Sequence, residues 1–422
     1  MTALAHLRKG WCPGALRPMR SGDGLLVRVR PRAGALSSIA LRVVADVAAR
    51  FGSGEIDLTN RGNLQIRGVT DETFEPTLAA LDAAGLLDPS VDAESVRNVV
   101  VDPLSGVDPA RANVRDLAAA LERTLVRDTR LWSLPGKFGF SFSGVAAPQV
   151  GGRSADIMIS GDDDRFFVTL EGAVAARCEI SRQDAVEAAH HLALAFVELK
   201  ENDASFRRMR DAVARLGVAT VFAMAGLRVS APVAEKSEHA VPVGLLKRDD
   251  CVIGVGVGLP FGRMTAMQLD ALCNISMASG VEEAHTSPER ALIFPMSNAA
   301  CGSEMLRSVD AAGLIVRHDD IRLAMDVCPG APACKSARAN TRRDAQRFAE
   351  TFAGSLCGRS VHISGCEKGC ARRTDASFTL VGQADGYDII RNGSADSTRV
   401  HEAIKAEEIS SAISRLVTER AI

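Results

Sequence analysis

Alternating apolar positions mark Leu25–Val29 as a strand, and Leu41, Val44 and Val47, at helical spacing, mark a helix from about Ser37 to Arg50 ended by Gly52. A strand pair and a second helix ended by Gly85 complete a β-α-β-β-α unit. The unit returns 228 positions later, beginning with the strand Val252–Val257. Leu81-Asp82-Ala83-Ala84-Gly85-Leu86 recurs as Val309-Asp310-Ala311-Ala312-Gly313-Leu314, Gly34 maps to Gly262, and the helical series maps to Leu269, Leu272 and Ile275. Thr59 lands on Thr286 with a one-residue slip. A fainter echo, shifted by 221, links Phe140-Ser141-Phe142-Ser143-Gly144 to Val361-His362-Ile363-Ser364-Gly365, and residues 156–161 to 377–382. The repeats predict a duplicated α+β protein divided at about 1–90, 91–230, 231–318 and 319–422, the first and third segments pairing as one domain, with a ligand between the halves.

The same alternation sorts the polar residues. From Thr59 to Arg67, Leu64 and Ile66 face a core while Arg61, Asn63, Gln65 and Arg67 share the opposite face, a surface of hydrogen-bond donors. An ordinary solvated sheet face is the plain alternative. In Leu134 to Phe142 the phenylalanines turn inward and leave Lys137, Gly139 and Ser141 on the other side, where glycine admits a flat ligand. Arg97 opens the apolar run Val99-Val100-Val101, so its guanidinium is expected at a strand mouth, placed for a carboxylate or other oxyanion. A surface arginine is the alternative there.

With 422 residues the chain has length for roughly two to four domains. Lys plus Arg (50) nearly balance Asp plus Glu (52), so no global field draws nucleic acid or an anionic membrane, and any basic site is local. Met1 to Arg8 carries no leader pattern and no apolar run approaches a membrane span, which gives the expectation of a soluble cytoplasmic protein. Ten cysteines in no regular framework suit a reducing compartment. Six of them, Cys12, Cys178, Cys251, Cys273, Cys301 and Cys357, are expected as small core residues.

The other four, Cys328, Cys334, Cys366 and Cys370, form a Cys-x5-Cys … Cys-x3-Cys set on loops bent by Pro329, Gly330, Gly365 and Gly369. Four thiolates suffice for a cubane iron–sulfur cluster, and backbone N–H groups on such loops can turn toward sulfur. Structural zinc, which prefers tighter spacing, and unliganded buried thiols are the alternatives.

With both cysteine pairs, the duplication and the basic segments together, the chain resembles the sirohaem sulfite and nitrite reductase superfamily over nearly its whole length. The resemblance implies pseudo-twofold ferredoxin-like halves with α/β sirohaem-type domains, and a [4Fe–4S] cluster on the four cysteines, Cys370 also bridging to a tetrapyrrole iron. It implies anion-binding roles for Arg61 in Leu58-Thr59-Asn60-Arg61, Arg97 in Arg97-Asn98-Val99, and Lys137 in Leu134-Pro135-Gly136-Lys137-Phe138. Two departures matter. Gly136-Lys137-Phe138-Gly139 stands where the reductases have Arg-Lys-Phe-Lys, and Gly62 replaces a glutamine, which weakens a small-anion pocket and makes room for something bulkier.

Within the superfamily, Cys12-Pro13-Gly14 with Pro18-Met19, Gly22-Asp23-Gly24-Leu25-Leu26-Val27-Arg28-Val29 and Gly258-Leu259-Pro260-Phe261-Gly262-Arg263-Met264 are similar to the precorrin-3B synthases of aerobic cobalamin biosynthesis. That likeness implies a tetrapyrrole as substrate: precorrin-3A, hydroxylated at C20 by O2 while a ring A acetate closes a γ-lactone onto C1. Electrons would come from an external donor, a reductase or an NAD(P)H-linked protein. Arg61, Gln65, Arg97 and Lys137 would clamp the substrate carboxylates, with Arg263 and Arg290 as candidates from the second copy. The family is also associated with a mononuclear non-haem iron, but neither His190 and His191 nor Glu283 and His285 offers a full ligand set, so no residue is assigned to it. A sirohaem-dependent nitrite or sulfite reductase is the nearest rival, and a non-catalytic iron–sulfur carrier or tetrapyrrole-binding module a further one.

Overall fold

The computed structural model describes residues 13–146, 155–163, 165–173, 176–230, 232 and 241–419, so Cys12 lies outside the described residues. Its frame is four five-stranded sheets in two matched pairs. The first sheet orders Met19–Ser21, Gly24–Val29, Leu64–Val69, Glu55–Leu58 and Arg263–Thr265; the second orders Gly244–Arg248, Cys251–Gly258, Ala291–Pro295, Glu283–Thr286 and Ala35–Ser37. Each copy therefore lends a short strand to the other's sheet. The crossover is made by a left-handed turn in both copies, at Ala33-Gly34 (φ 46° and 72°) and at Phe261-Gly262 (φ 55° and 73°).

Directly after each lent strand a helix begins. Ser37 accepts a hydrogen bond from the Ala40 N–H to cap Ser38–Phe51, and Thr265 with Gln268 forms a reciprocal cap on Ala266–Ala278. Leu41, Val44 and Val47 from one helix and Leu269 and Leu272 from the other bury into a single apolar core shared by both sheets. Separation of the two copies would expose that core, so their pairing is enforced by the hydrophobic effect.

The repeat keeps its 228-residue register across the inner strands. Asp57 pairs with Gln65 and Arg263 just as His285 pairs with Ile293 and Ala35. The Thr59 N–H bonds to Asn63 O as the Ser287 N–H bonds to Ala291 O, and Gly62 and Arg290 both take positive φ. Thr59 therefore corresponds to Ser287. The expected one-residue slip is corrected; it came from matching one threonine to another.

The second pair of sheets runs Val99–Val101, Phe140–Ser143, Ile157–Gly161, Phe166–Leu170, Cys178–Ile180, and Met325–Val327, Val361–Ser364, Ala376–Gln383, Gly386–Gly393, Glu402–Ile404. In both, the first two pairings are parallel and the last two antiparallel. Phe140 opposes Ile157 as Val361 opposes Phe378, holding the 221-residue shift. The duplicated α+β architecture is thus the one expected. Of the remaining cysteines among the described residues, Cys178 and Cys273 are buried as expected; Cys301 is half-buried, and Cys251 and Cys357 are exposed, so the core role expected for those three is corrected. No helix among the described residues is long and apolar enough to cross a membrane.

Candidate cofactor and substrate site

The cysteine loops grow from the ends of two adjacent parallel strands. The Cys328 N–H extends the ladder by bonding to Ile363 O at 3.1 Å, which sets Cys328 beside the Ser364-Gly365-Cys366 turn. Gly365 then donates its N–H to Cys328 Sγ at 3.1 Å, and the Lys368 N–H faces the Cys366 thiol. Gly330 (φ 69°) bends the first loop so closely over Thr341 that a Cβ would stand 2.3 Å from its Oγ1; that hydroxyl donates to Cys328 O at 2.7 Å. The loop is held against the first sheet by Ser21, whose Oγ donates to Ala333 O at 2.7 Å, and by the Gly22 N–H on the same oxygen.

Burial, then the nearby Cys328 and Cys334 thiols, push the Cys366 thiol up. Crowding by the protein, then the Cys328, Cys366 and Cys334 thiols, push Cys370 up against the pull of Arg373. Four thiols within electrostatic reach of one another, with N–H groups aimed at sulfur, fit a cluster in which each thiolate takes its own iron. The donors of such a group stand around its edges; among the described residues no three His, Cys, Asp or Glu side chains converge as on a single metal ion.

The first copy closes the equivalent loop with different chemistry. The Asp102 N–H bonds to Phe142 O as Cys328 bonds to Ile363 O, and the Asp108 N–H to Leu104 O as Cys334 bonds to Gly330 O. Asp102 and Asp108 therefore occupy the places of Cys328 and Cys334. Arg111 spans them, reaching Asp102 Oδ2 at 2.7 Å and Asp108 Oδ2 at 3.4 Å, and Arg248 grips Asp108 from the neighbouring sheet. An ion-pair knot closes this loop, at the places where the other loop carries cysteines.

The polar face of the first sheet is equally one-sided. Register sets Arg28, Gln65, Asp57 and Arg263 in one row across four strands; the equivalent row in the second sheet is Gly256, Ile293, His285 and Ala35. The second face is covered, with Ile293 packed by Leu104 and Leu323 and His285 Nδ1 bonded to Pro103 O. On the first face Asp57 accepts from Arg67 at 2.8 Å, Arg263 at 2.6 Å and Arg342 at 3.4 Å. Burial alone would raise the Asp57 carboxyl, but Arg342, Arg263 and Arg67 hold it well below the usual range. Arg342 starts the helix Thr341–Thr351 next to Cys328, so this carboxylate ties the sheet to the cysteine loops.

Among the predicted clamp residues, Arg61 and Lys137 come together. The Arg61 guanidinium donates to Lys137 O at 3.2 Å and lies over Gly139, while the Lys137 side chain is exposed. Gln65 stands half-buried in the polar row. Arg97 is corrected: it is 2% exposed, and its guanidinium turns inward to Asp88 at 2.8 Å, Glu122 at 3.4 Å and the carbonyls of Arg30 and Pro31. Those carboxylates engage it, so it braces a wall. Arg263 and Arg290 are corrected likewise. The first is spent on Asp57 and Glu55, the second on Met325 O and Asp326.

The histidines provide no open His/carboxylate set for a mononuclear iron among the described residues. His190 bonds to Asp128, His191 lies near Glu187, and His285 uses Nε2 on Glu283. Sequence reasoning missed Arg28, Arg30 and Arg342. The alternation that faces Val27 and Val29 inward also puts Arg28 and Arg30 on the face of Gln65, a signal present in the chain. Burial and the nearby Arg28 push Arg30 down to about 10, and its Nη1 donates to Asn98 Oδ1 at 2.5 Å under the Lys137 loop. No local pattern marks Arg342, which is brought in by tertiary packing alone.

The nitrite/sulfite reductase ferredoxin-like half domain matches residues 17–84. A precorrin-3B synthase of Sinorhizobium sp is 31% identical over 402 residues, covering 93% of this chain and 85% of the relative. A ferredoxin sulfite reductase of Mycobacterium tuberculosis is 25% identical over 89% of this chain and 72% of its own, and a ferredoxin–nitrite reductase of Leptolyngbya laminosa 25% over 98% and 89%. The solved structure of the Mycobacterium tuberculosis NirA protein shares the fold, with a TM-score of 0.75 at 19% identity over 93% of this chain and 80% of that one. Similarity to these enzymes over nearly its whole length places the chain among enzymes of oxidoreductase type, and it belongs to the precorrin-3B synthase family within the sirohaem nitrite/sulfite reductase superfamily.

Proposed function

We propose that this enzyme is an O2-dependent monooxygenase that converts precorrin-3A to precorrin-3B, hydroxylating C20 as the ring A acetate closes its γ-lactone. The observation that carries this choice is the glycine pair at the anion site. A Cβ at Gly139 would stand 3.1 Å from Arg61 Nη1 and 3.4 Å from Asn98 O, and one at Gly62 (φ 69°) would stand 2.9 Å from Thr286 Oγ1. The positive φ at Gly62 disfavours the glutamine of a small-anion reductase, and at Gly139 a side chain in the place of the reductases' lysine would need the Arg61 guanidinium to shift. Arg61 lies instead across the open loop, which supports a broad polycarboxylate ligand on the face of Arg28, Gln65 and Lys137.

Cys328, Cys334, Cys366 and Cys370 would hold the [4Fe–4S] cluster, which when bound supplies single electrons from an external donor. The balance is one O2, two electrons and two protons, one oxygen atom entering the substrate and the other leaving as water. Arg61 and Lys137 hold carboxylates by charge-assisted hydrogen bonds, Gln65 adds a neutral donor, and Arg97 keeps the wall rigid from behind. Orientation by these groups selects one carbon for attack.

Anaerobic incubation with precorrin-3A and reductant, followed by O2, tests the proposal by product mass. A product heavier by one oxygen is expected; unchanged substrate would refute it. The nitrite and sulfite reductases among the relatives favour one second possibility, a sirohaem-dependent reductase. Stoichiometric sirohaem in the optical spectrum of the purified protein would select it.

A further inference from the structure

His362 lies in the strand Val361–Ser364, fully buried, with Asp326 opposite it on one neighbouring strand and Thr379 on the other. Alternation sends Val361 and Ile363 into the apolar core, so His362 and Ser364 face the other way. Two contacts show that this is the side of the cysteine loop. Ser364 Oγ donates to Cys366 O at 2.6 Å, and a Cβ on Gly369, the residue before Cys370, would lie 3.7 Å from His362 Cε1.

The polar neighbours of the ring are already engaged. Asp326 accepts from Arg290 and Arg372, and the Thr379 hydroxyl donates to Gly393 O at 2.6 Å. Among the described residues neither Nδ1 nor Nε2 of His362 has a hydrogen-bond partner. Burial, with Arg372 and Arg290 adding to it against Asp326, pushes the imidazole down to about 4, so the ring is neutral and has one N–H to give. A buried donor without an acceptor costs about 1–3 kcal/mol, and folded proteins leave few of them.

We propose that His362 donates its ring N–H to a sulfur of the group held by Cys366 and Cys370, and so raises the reduction potential of the cluster; this rests on the cluster assignment above. An N–H···S hydrogen bond offsets negative charge on the cluster and thereby favours its reduced form. His362 acts through the cluster and does not touch substrate.

The test is a redox titration of the anaerobically purified full-length protein, as wild type, His362→Gln and His362→Leu, each with its iron and sulfide counted. His362→Leu with a full cluster should titrate at a lower midpoint than wild type, and His362→Gln, which keeps a donor, should lie between. An unchanged midpoint in loaded His362→Leu overturns the proposal. A second readout is independent of whether that variant folds. Wild type labelled with 15N-histidine should show a weak nitrogen coupling to the reduced cluster in pulsed electron resonance, lost in His362→Gln, and its absence from wild type likewise overturns the proposal. Wild type without iron and sulfide would overturn the cluster itself, an outcome distinct from either.

Discussion

Replacing Asp57 by Asn removes one negative charge from beneath three guanidinium groups while keeping the shape of the side chain. The consequence follows from what each arginine retains. Arg67 keeps Asp23 at 2.8 Å, and Arg263 keeps Glu55 at 3.1 Å. Arg342 has no other carboxylate partner among the described residues, and burial already pushes it down to about 10. Breaking a buried pair from one side costs about 3–5 kcal/mol because a desolvated charge is stranded. With two of the three arginines still paired, the lower end applies, about 3 kcal/mol, or roughly 150-fold in the folding equilibrium. Urea denaturation followed by circular dichroism measures this as a lower midpoint at unchanged slope. Arg342→Met in the Asp57→Asn background should recover part of the loss, since it removes the stranded charge. A loss below about 1 kcal/mol, the range of a solvent-exposed pair, would refute the view that this carboxylate is a buried tie between sheet and cysteine loops.

Other outcomes separate structural from ligand-binding arginines. Arg97→Met should destabilise the protein by about 3–5 kcal/mol in the same assay, because Asp88 and Glu122 would be left buried and unpaired, with no selective loss of tetrapyrrole affinity in the folded fraction. Arg61→Ala should do the reverse, weakening tetrapyrrole binding in a fluorescence titration by about tenfold or more, the worth of one sheltered charged hydrogen bond, with little change in unfolding. Asp57 and Asp88 are both depressed in the fold, so the stability they confer is fully present above about pH 4, their unfolded range, and is lost as pH falls below it; their contribution to denaturation midpoints should be flat from pH 7 to about pH 4 and decline only below that. Removal of iron by a chelator should raise hydrogen exchange in the loops around Cys328–Cys334 and Cys366–Cys370, while the loop from Asp102 to Arg111 stays protected by its own ion pairs.

The apolar periodicities, the glycines that end helices and the spacing of the four cysteines were all readable along the chain, because each depends on neighbours within a few residues. Two repeats at constant shift announced a duplicated architecture, and alternation named the face on which Gln65 and Arg67 stand, while Arg61, expected on that face, lies in the turn before the strand Leu64–Val69. Alternation says which way a side chain points, not what it meets. Arg97 looked like a ligand clamp because its partners, Asp88 and Glu122, lie on other elements and close around it only in the fold. Arg342 carried no local sign at all, and neither did the exchange of Ala35–Ser37 and Arg263–Thr265 between sheets. The kinship of Asp102 and Asp108 with Cys328 and Cys334 was hidden by unlike chemistry and appears only as matching backbone hydrogen bonds. Local order is thus written in short-range pattern and backbone geometry. Which charges are spent inside the protein and which remain for a ligand depends on the packing of distant segments, since burial and electrostatic pairing act between groups far apart in the chain.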